Sequence, residues 1–143
     1  MRTEPSAAVE RYLRSRGLRY FRGRHDGEYF FILRVGHQQF HVHVEVVEGT
    51  QNVVAVKVAP AHFFPATDRD RLDGFAREWN AGSRYAEVVV YESSDPTRIG
   101  LAALSSYRLD DADDFAEFAD KAIRSAVKLL AEPTPAPELA DAS

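Results

Sequence analysis

The sequence predicts one two-layer α+β domain: an antiparallel sheet with helices on it, in the order α-β-β-β-α-β-β-α. Three observations predict it. Helical apolar spacing occurs in three segments, near the start, the middle and the end of the chain. Between them lie runs with a period of two or with continuous apolar residues. Short turn signals join those runs, so neighbouring strands run antiparallel and not as doubly wound crossovers.

The first helix is expected over Pro5–Arg16, with Thr3 as N-cap and Pro5 in the first turn. Val9, Tyr12 and Leu13 share one face, and Gly17 stands where a left-handed C-cap belongs. Leu18–Phe21 reads as a short strand, followed by the turn His25-Asp26-Gly27. Tyr29–Val35 is apolar except for Arg34, a pattern expected where both sheet faces are covered. After the Gly36-His37 turn, Gln39–Val47 alternates. Phe40, Val42, Val44 and Val46 point one way, and Gln39, His41, His43 and Glu45 the other. Glu48–Asn52 turns the chain again, and Val54, Val56 and Val58 share a face opposite Lys57.

Pro60 and Pro65 bracket a loop. Thr67 is an expected N-cap for a second helix whose first turn carries Asp68 and Asp70. Leu72, Phe75, Ala76 and Trp79 form its stripe, and Gly82 stops it. Gly74 inside this helix suggests close approach to a neighbouring backbone. Arg84–Glu92 and Arg98–Tyr107 read as two strands around a Ser93–Pro96 turn. A last helix is expected after Asp110. Acids load its first turn, Lys121, Arg124 and Lys128 follow, and Phe115, Phe118, Ala119, Ala122, Ile123, Ala126 and Leu130 build its stripe. One domain over residues 1–132 and a disordered, Pro/Ala-rich acidic tail over 133–143 complete the expected organisation.

Composition narrows the function classes. The chain has 143 residues, enough for one good core, and no cysteine, which removes disulfides, thiol catalysis and thiolate metal sites. No apolar run approaches a membrane span of roughly 20 residues. The N-terminus lacks the apolar block of a secretory signal, so a cytoplasmic location is expected. A net charge of −4 divides unevenly: residues 1–35 carry eight Arg against four acids, and the remainder is acidic. The Arg11–Arg24 cluster could meet phosphates, but the overall acidity opposes nucleic-acid binding.

Chemistry-bearing motifs are scarce. His41 and His43 project from one side of a strand, but a metal site needs further ligands. His37, Glu45, His25 and His62 are the possibilities, so no metal site is assigned. Neither a nucleophile elbow nor a phosphate-cradling glycine loop occurs. No catalytic residue and no cofactor is therefore expected, and the protein is read as a non-enzyme. Phe63 and Phe64 in the Pro-bounded loop and Leu72, Phe75 and Trp79 on the second helix are the expected partner-binding residues.

Phe75-Ala76-Arg77-Glu78-Trp79-Asn80, then Tyr85–Tyr91, Leu101–Leu104, the acidic Leu109-Asp110-Asp111 and a long helix resemble the YbjN-like family. Gly17-Leu18-Arg19-Tyr20 and the strand meander fit the same pattern, and the resemblance covers residues 6–131. Ser93–Arg98 stands where an Asp-Gly turn would be expected. Members are described as candidate bacterial sensory-transduction regulators, and their fold is similar to type III secretion chaperones. Those are small acidic cytosolic homodimers that hold a partner chain. The resemblance implies a chaperone-like or regulatory adaptor that binds an unknown protein as a homodimer. Its implied dimer surface is the helix Asp68–Ala81 with the following strand. The alternative is a small-molecule-binding protein or enzyme with a pocket between the sheet and the C-terminal helix.

Overall fold

Helices α1 (Pro5–Ser15), α2 (Arg69–Gly82) and α3 (Asp114–Ala131) pack with a seven-stranded antiparallel sheet. The computed structural model describes residues 5–25, 27–47, 53–82, 86–108 and 114–131. The N-cap Thr3, Asp26, the Glu48–Asn52 turn, Arg84 and Tyr85, the acidic run before α3 and the C-terminal tail lie outside these residues. No helix among the described residues is long and apolar enough to cross a membrane.

The strands are β1 (Tyr20–Arg22), β2 (Glu28–Val35), β3 (Gln38–Val46), β4 (Val53–Pro60), β5 (Phe64–Pro65), β6 (Glu87–Glu92) and β7 (Arg98–Arg108). The first four form a meander, and β7 lies against β4. The two-residue β5 continues the β4 side of β7, through Phe64 opposite Ile99, and β6 pairs with its other side. The expected order is thus present, with β1 and β5 as short additions to it. Residues Ala61–Pro65, read as a loop, contribute β5 because the β4 ladder ends before Ile99 and leaves that edge open.

Local chemistry explains the boundaries. Gly17, at φ +64°, ends α1 in a Schellman motif: its N–H donates to Arg14 O and Leu18 N–H to Leu13 O. In the turn between β6 and β7, Ser93 Oγ donates to Arg98 O, and Thr97 N–H and Oγ1 donate to Asp95 Oδ1. Those bonds close the turn without the Asp-Gly pair. Helix α2 starts one residue later than expected, after a 3-10 turn (Ala66–Asp68) that has no side-chain cap. Gly74 meets no neighbouring atom, so the close approach expected there does not occur.

One core lies between the sheet and the helices. The inward face of β3 (Phe40, Val42, Val44) and of β4 (Val54, Val56, Val58) meets Leu13 of α1 and Phe115, Ala126 and Leu130 of α3. Each fully buried Leu, Ile or Phe here is worth about 1.5–3 kcal/mol relative to exposure. Two acids then fasten α1. Asp120 of α3 accepts from Tyr12 Oη (2.7 Å) and from Arg16 Nη2 (2.6 Å). Glu10 accepts from Arg22 Nη2 (2.8 Å) and Tyr29 Oη (2.9 Å), which ties the helix to β1 and β2. Two members of the basic cluster, Arg16 and Arg22, are therefore spent on internal ion pairs.

The continuous apolar run of β2 is not covered on both faces. Tyr29 and Phe31 enter the core, whereas Phe30 and Ile32 stand on the opposite face, where no helix of the described residues lies. Register explains the difference, because Phe30 faces His43 and Ile32 faces His41 across the β2–β3 ladder.

Candidate functional site

The expected partner-binding residues separate into two groups. Phe64 and Leu72 are buried in the core, and Phe75 and Trp79 are half-buried against it. The stripe of α2 is spent on this chain's own β6 and Phe64 pairs with Ile99 of β7, so Phe64 and Leu72 do not belong to an outer surface, a correction to their expected place. Trp79 Nε1 donates to Ala86 O at 3.1 Å. Asn80 uses both ends of its amide on Val88: Nδ2 donates to Val88 O at 2.9 Å, and Oδ1 accepts from Val88 N–H at 2.8 Å. That pair occupies the free edge of β6, the position a second strand would otherwise take. The Trp-Asn sequence thus has a structural role in seating α2 beside the sheet.

Phe63 alone of the five is strongly exposed, and it leads to the open face of the sheet. Exposed apolar side chains accumulate there: Phe21 at 66%, Ile32 at 53%, Phe63 at 45% and Phe30 at 41% exposure. With His41, Lys57 and Tyr91 they border a groove of about 510 Å³. Tyr91 lies flat over Gly100, where a β-carbon would overlap its ring. The Lys57 ammonium sits 4.9 Å from the centre of that ring, and Phe63 meets it edge-on at 6.4 Å. Burial pushes the Tyr91 hydroxyl up in pKa. One end of the groove is therefore built by aromatic packing.

The other end is polar and comes from β2 and β3. His43 stacks on Phe30 at 4.5 Å and places Nε2 3.1 Å from Glu28 Oε2. Arg24 N–H donates to Glu28 Oε1 at 3.0 Å. Burial raises the Glu28 carboxyl, but the His43 contact, the Arg24 N–H and the charge of His25 outweigh it and hold it below the usual range. Glu45 stands beside them, so that Glu28, His43 and Glu45 each offer a ligand atom within 4.8 Å of the others. The strand alternation pairs His43 with His41 and offers Glu45 as a further ligand, but it does not bring in Glu28. The signal was the hairpin register, since Gly36-His37 as a two-residue turn sets Glu28 opposite Glu45.

A second groove, of about 540 Å³, lies between α3 and β7. Ser105, Tyr107, Phe118, Lys121 and Ser125 line it, with Tyr107 stacked on Phe118 at 4.7 Å.

No family model matches this chain, and no curated protein does. Among solved structures the fold is similar to that of YbjN from E. coli, described as a candidate transcription regulator. The TM-score is 0.64 at 12% identity, covering 87% of each chain. The chain therefore has a YbjN-like fold, in agreement with the resemblance carried by its motifs.

Proposed function

We propose that this YbjN-like domain is a non-enzymatic protein-binding module, a chaperone-like or regulatory adaptor, and that it works as a homodimer. The observation that carries the reading is the sheet face opposite the described helices, on which Phe21, Phe30, Ile32 and Phe63 are exposed together. Apolar side chains gathered in one band favour a protein surface as their cover. The similar E. coli protein, described as a candidate transcription regulator, supports a regulatory context. Protein contact is assigned to this face, with Phe63 as the residue it shares with the surface expected from sequence. Leu72 and Phe64 take no part in it, being buried in the core. Helix α2 contributes less than expected, because its apolar stripe and the adjoining β6 edge are already occupied.

The test compares capture from native lysate by the wild type and by Ile32→Glu, a change at an exposed position. A discrete partner held by the wild type and lost by Ile32→Glu supports the module. Identical capture by both removes the open face from the reading.

The groove between α3 and β7 favours a second reading, a small-molecule site, because Ser105 and Lys121 lie among its apolar walls. A ligand seated there would be sensitive to Phe118→Ala and indifferent to Ile32→Glu.

A further inference from the structure

We propose that Glu28, His43 and Glu45 bind a divalent transition-metal ion on the open sheet face, with Zn²⁺ as the representative ion. One imidazole nitrogen and two carboxylate oxygens converge there, within 4.8 Å of one another. The ladder holds their backbones in place: Glu28 lies directly across from Glu45, and His43 precedes Glu45 by two residues on the same face. The side chains are also oriented. Phe30 stacks on the His43 ring, and the Arg24 N–H occupies Glu28 Oε1, which leaves Oε2 facing His43 Nε2. Groups behind the ligands that fix ring plane and carboxylate direction are what metal sites use to gain affinity.

A separate observation points to a cation. Like charges directly opposite one another in an antiparallel pair are destabilising. Glu28 and Glu45 are such a pair, and among the described residues no lysine or arginine forms an ion pair with either. Lys57, the cross-strand neighbour of His43, carries its ammonium to the Tyr91 ring instead. A bound dication turns the repulsion into attraction. Tetrahedral zinc, with bonds of about 2.1 Å, spaces its ligand atoms by roughly 3.4 Å, so the half-buried Glu45 carboxylate closes in by on the order of 1 Å. The mixed nitrogen and oxygen donor set suits zinc and its neighbours better than calcium, which takes six or more oxygens, or copper(I), which prefers sulfur. Water completes the coordination.

Calorimetric titration of untagged, chelator-stripped protein with zinc chloride at neutral pH tests the site. One zinc per chain is expected, with binding weakened at least about 10-fold by His43→Ala and unchanged by His41→Ala. Thermal unfolding of Glu45→Gln gives a second reading that does not depend on His43. In chelator this variant should melt no lower than the wild type, because repulsion is relieved. In zinc it should lose the rise in melting temperature that the wild type gains. Absence of heat and of a melting shift at millimolar zinc overturns the proposal. So does equal weakening by His41→Ala and His43→Ala, which would assign the binding to scattered surface imidazoles.

Discussion

Gly100 carries a demand that only the folded chain makes visible. Its backbone lies under the Tyr91 ring, so Gly100→Ala forces that ring to move. The expected loss is about 1–3 kcal/mol from overpacking. Tyr91→Ala should cost less in the Gly100→Ala background than in the wild type, and chemical denaturation of the four proteins of the cycle measures that coupling. Tyr12 and Asp120 make a comparable link between helices. Tyr12→Phe keeps the edge-on packing against Phe115 and removes the hydrogen bond to Asp120, for an expected loss of about 1 kcal/mol. The Asp120 carboxyl is held below its usual range, first by the Arg16 hydrogen bond and also by Tyr12, against burial. A carboxyl depressed by folding stabilises the protein above its unfolded value, about 3.9, and loses that effect as pH falls through the folded value. Asp120→Asn should therefore lower the melting temperature at pH 7 and narrow the gap between wild type and variant near pH 3. Melting curves followed by circular dichroism at the two pH values check the sign.

Among the elements, β6 shows how a helix can close a sheet. Its outer edge is met by the Asn80 amide, which satisfies the N–H and C=O of Val88 as a neighbouring strand would. Asn80→Ala should cost about 1–2 kcal/mol and promote concentration-dependent association through the uncovered edge. Denaturant midpoints and light scattering report the two effects separately. The helices and main strands were legible because each repeats its own period; β3 alternates without a break from Phe40 to Val46. Strand β2 was legible in position and misread in burial. Its outward residues are as apolar as its inward ones, so composition alone cannot separate Phe30 from Phe31. The polar face of its partner could: once Phe30 pairs with His43 and Ile32 with His41, both must stand on the side that carries imidazoles. Strand β5 was illegible for a different reason, because two residues have no period and Phe64 pairs only through β7. The same holds for the open-face site. Its residues come from β2 and β3 at one end and from Phe63, Tyr91 and Gly100 at the other, and pairing across strands assembles them.

At the scale of the whole molecule, the described helices take one side of the sheet, while acids on α1 and α3 absorb part of the N-terminal basic charge. The proposed homodimer should register as a doubled mass in light scattering; if the open face is its seam, Phe21→Ser with Ile32→Glu should return it to a monomer. A wild-type monomer at high concentration would count against that assembly. Strand β7 also governs the order in which the sheet can be completed. It is the common neighbour of β4, β5 and β6, and it enters the chain only at Arg98. While the polypeptide is still being synthesised, the four-strand meander can form from local pairings, but the edge of β4 waits for residues from Ala103 to Arg108. Until they leave the ribosome, Val54, Val56 and Val58 also lack the helix that will cover them. The nascent chain thus passes through a stage with an open strand edge and an uncovered apolar face, the combination that invites early aggregation. Slow translation just before residue 98 would prolong that stage, and cellular holding factors would find their substrate there.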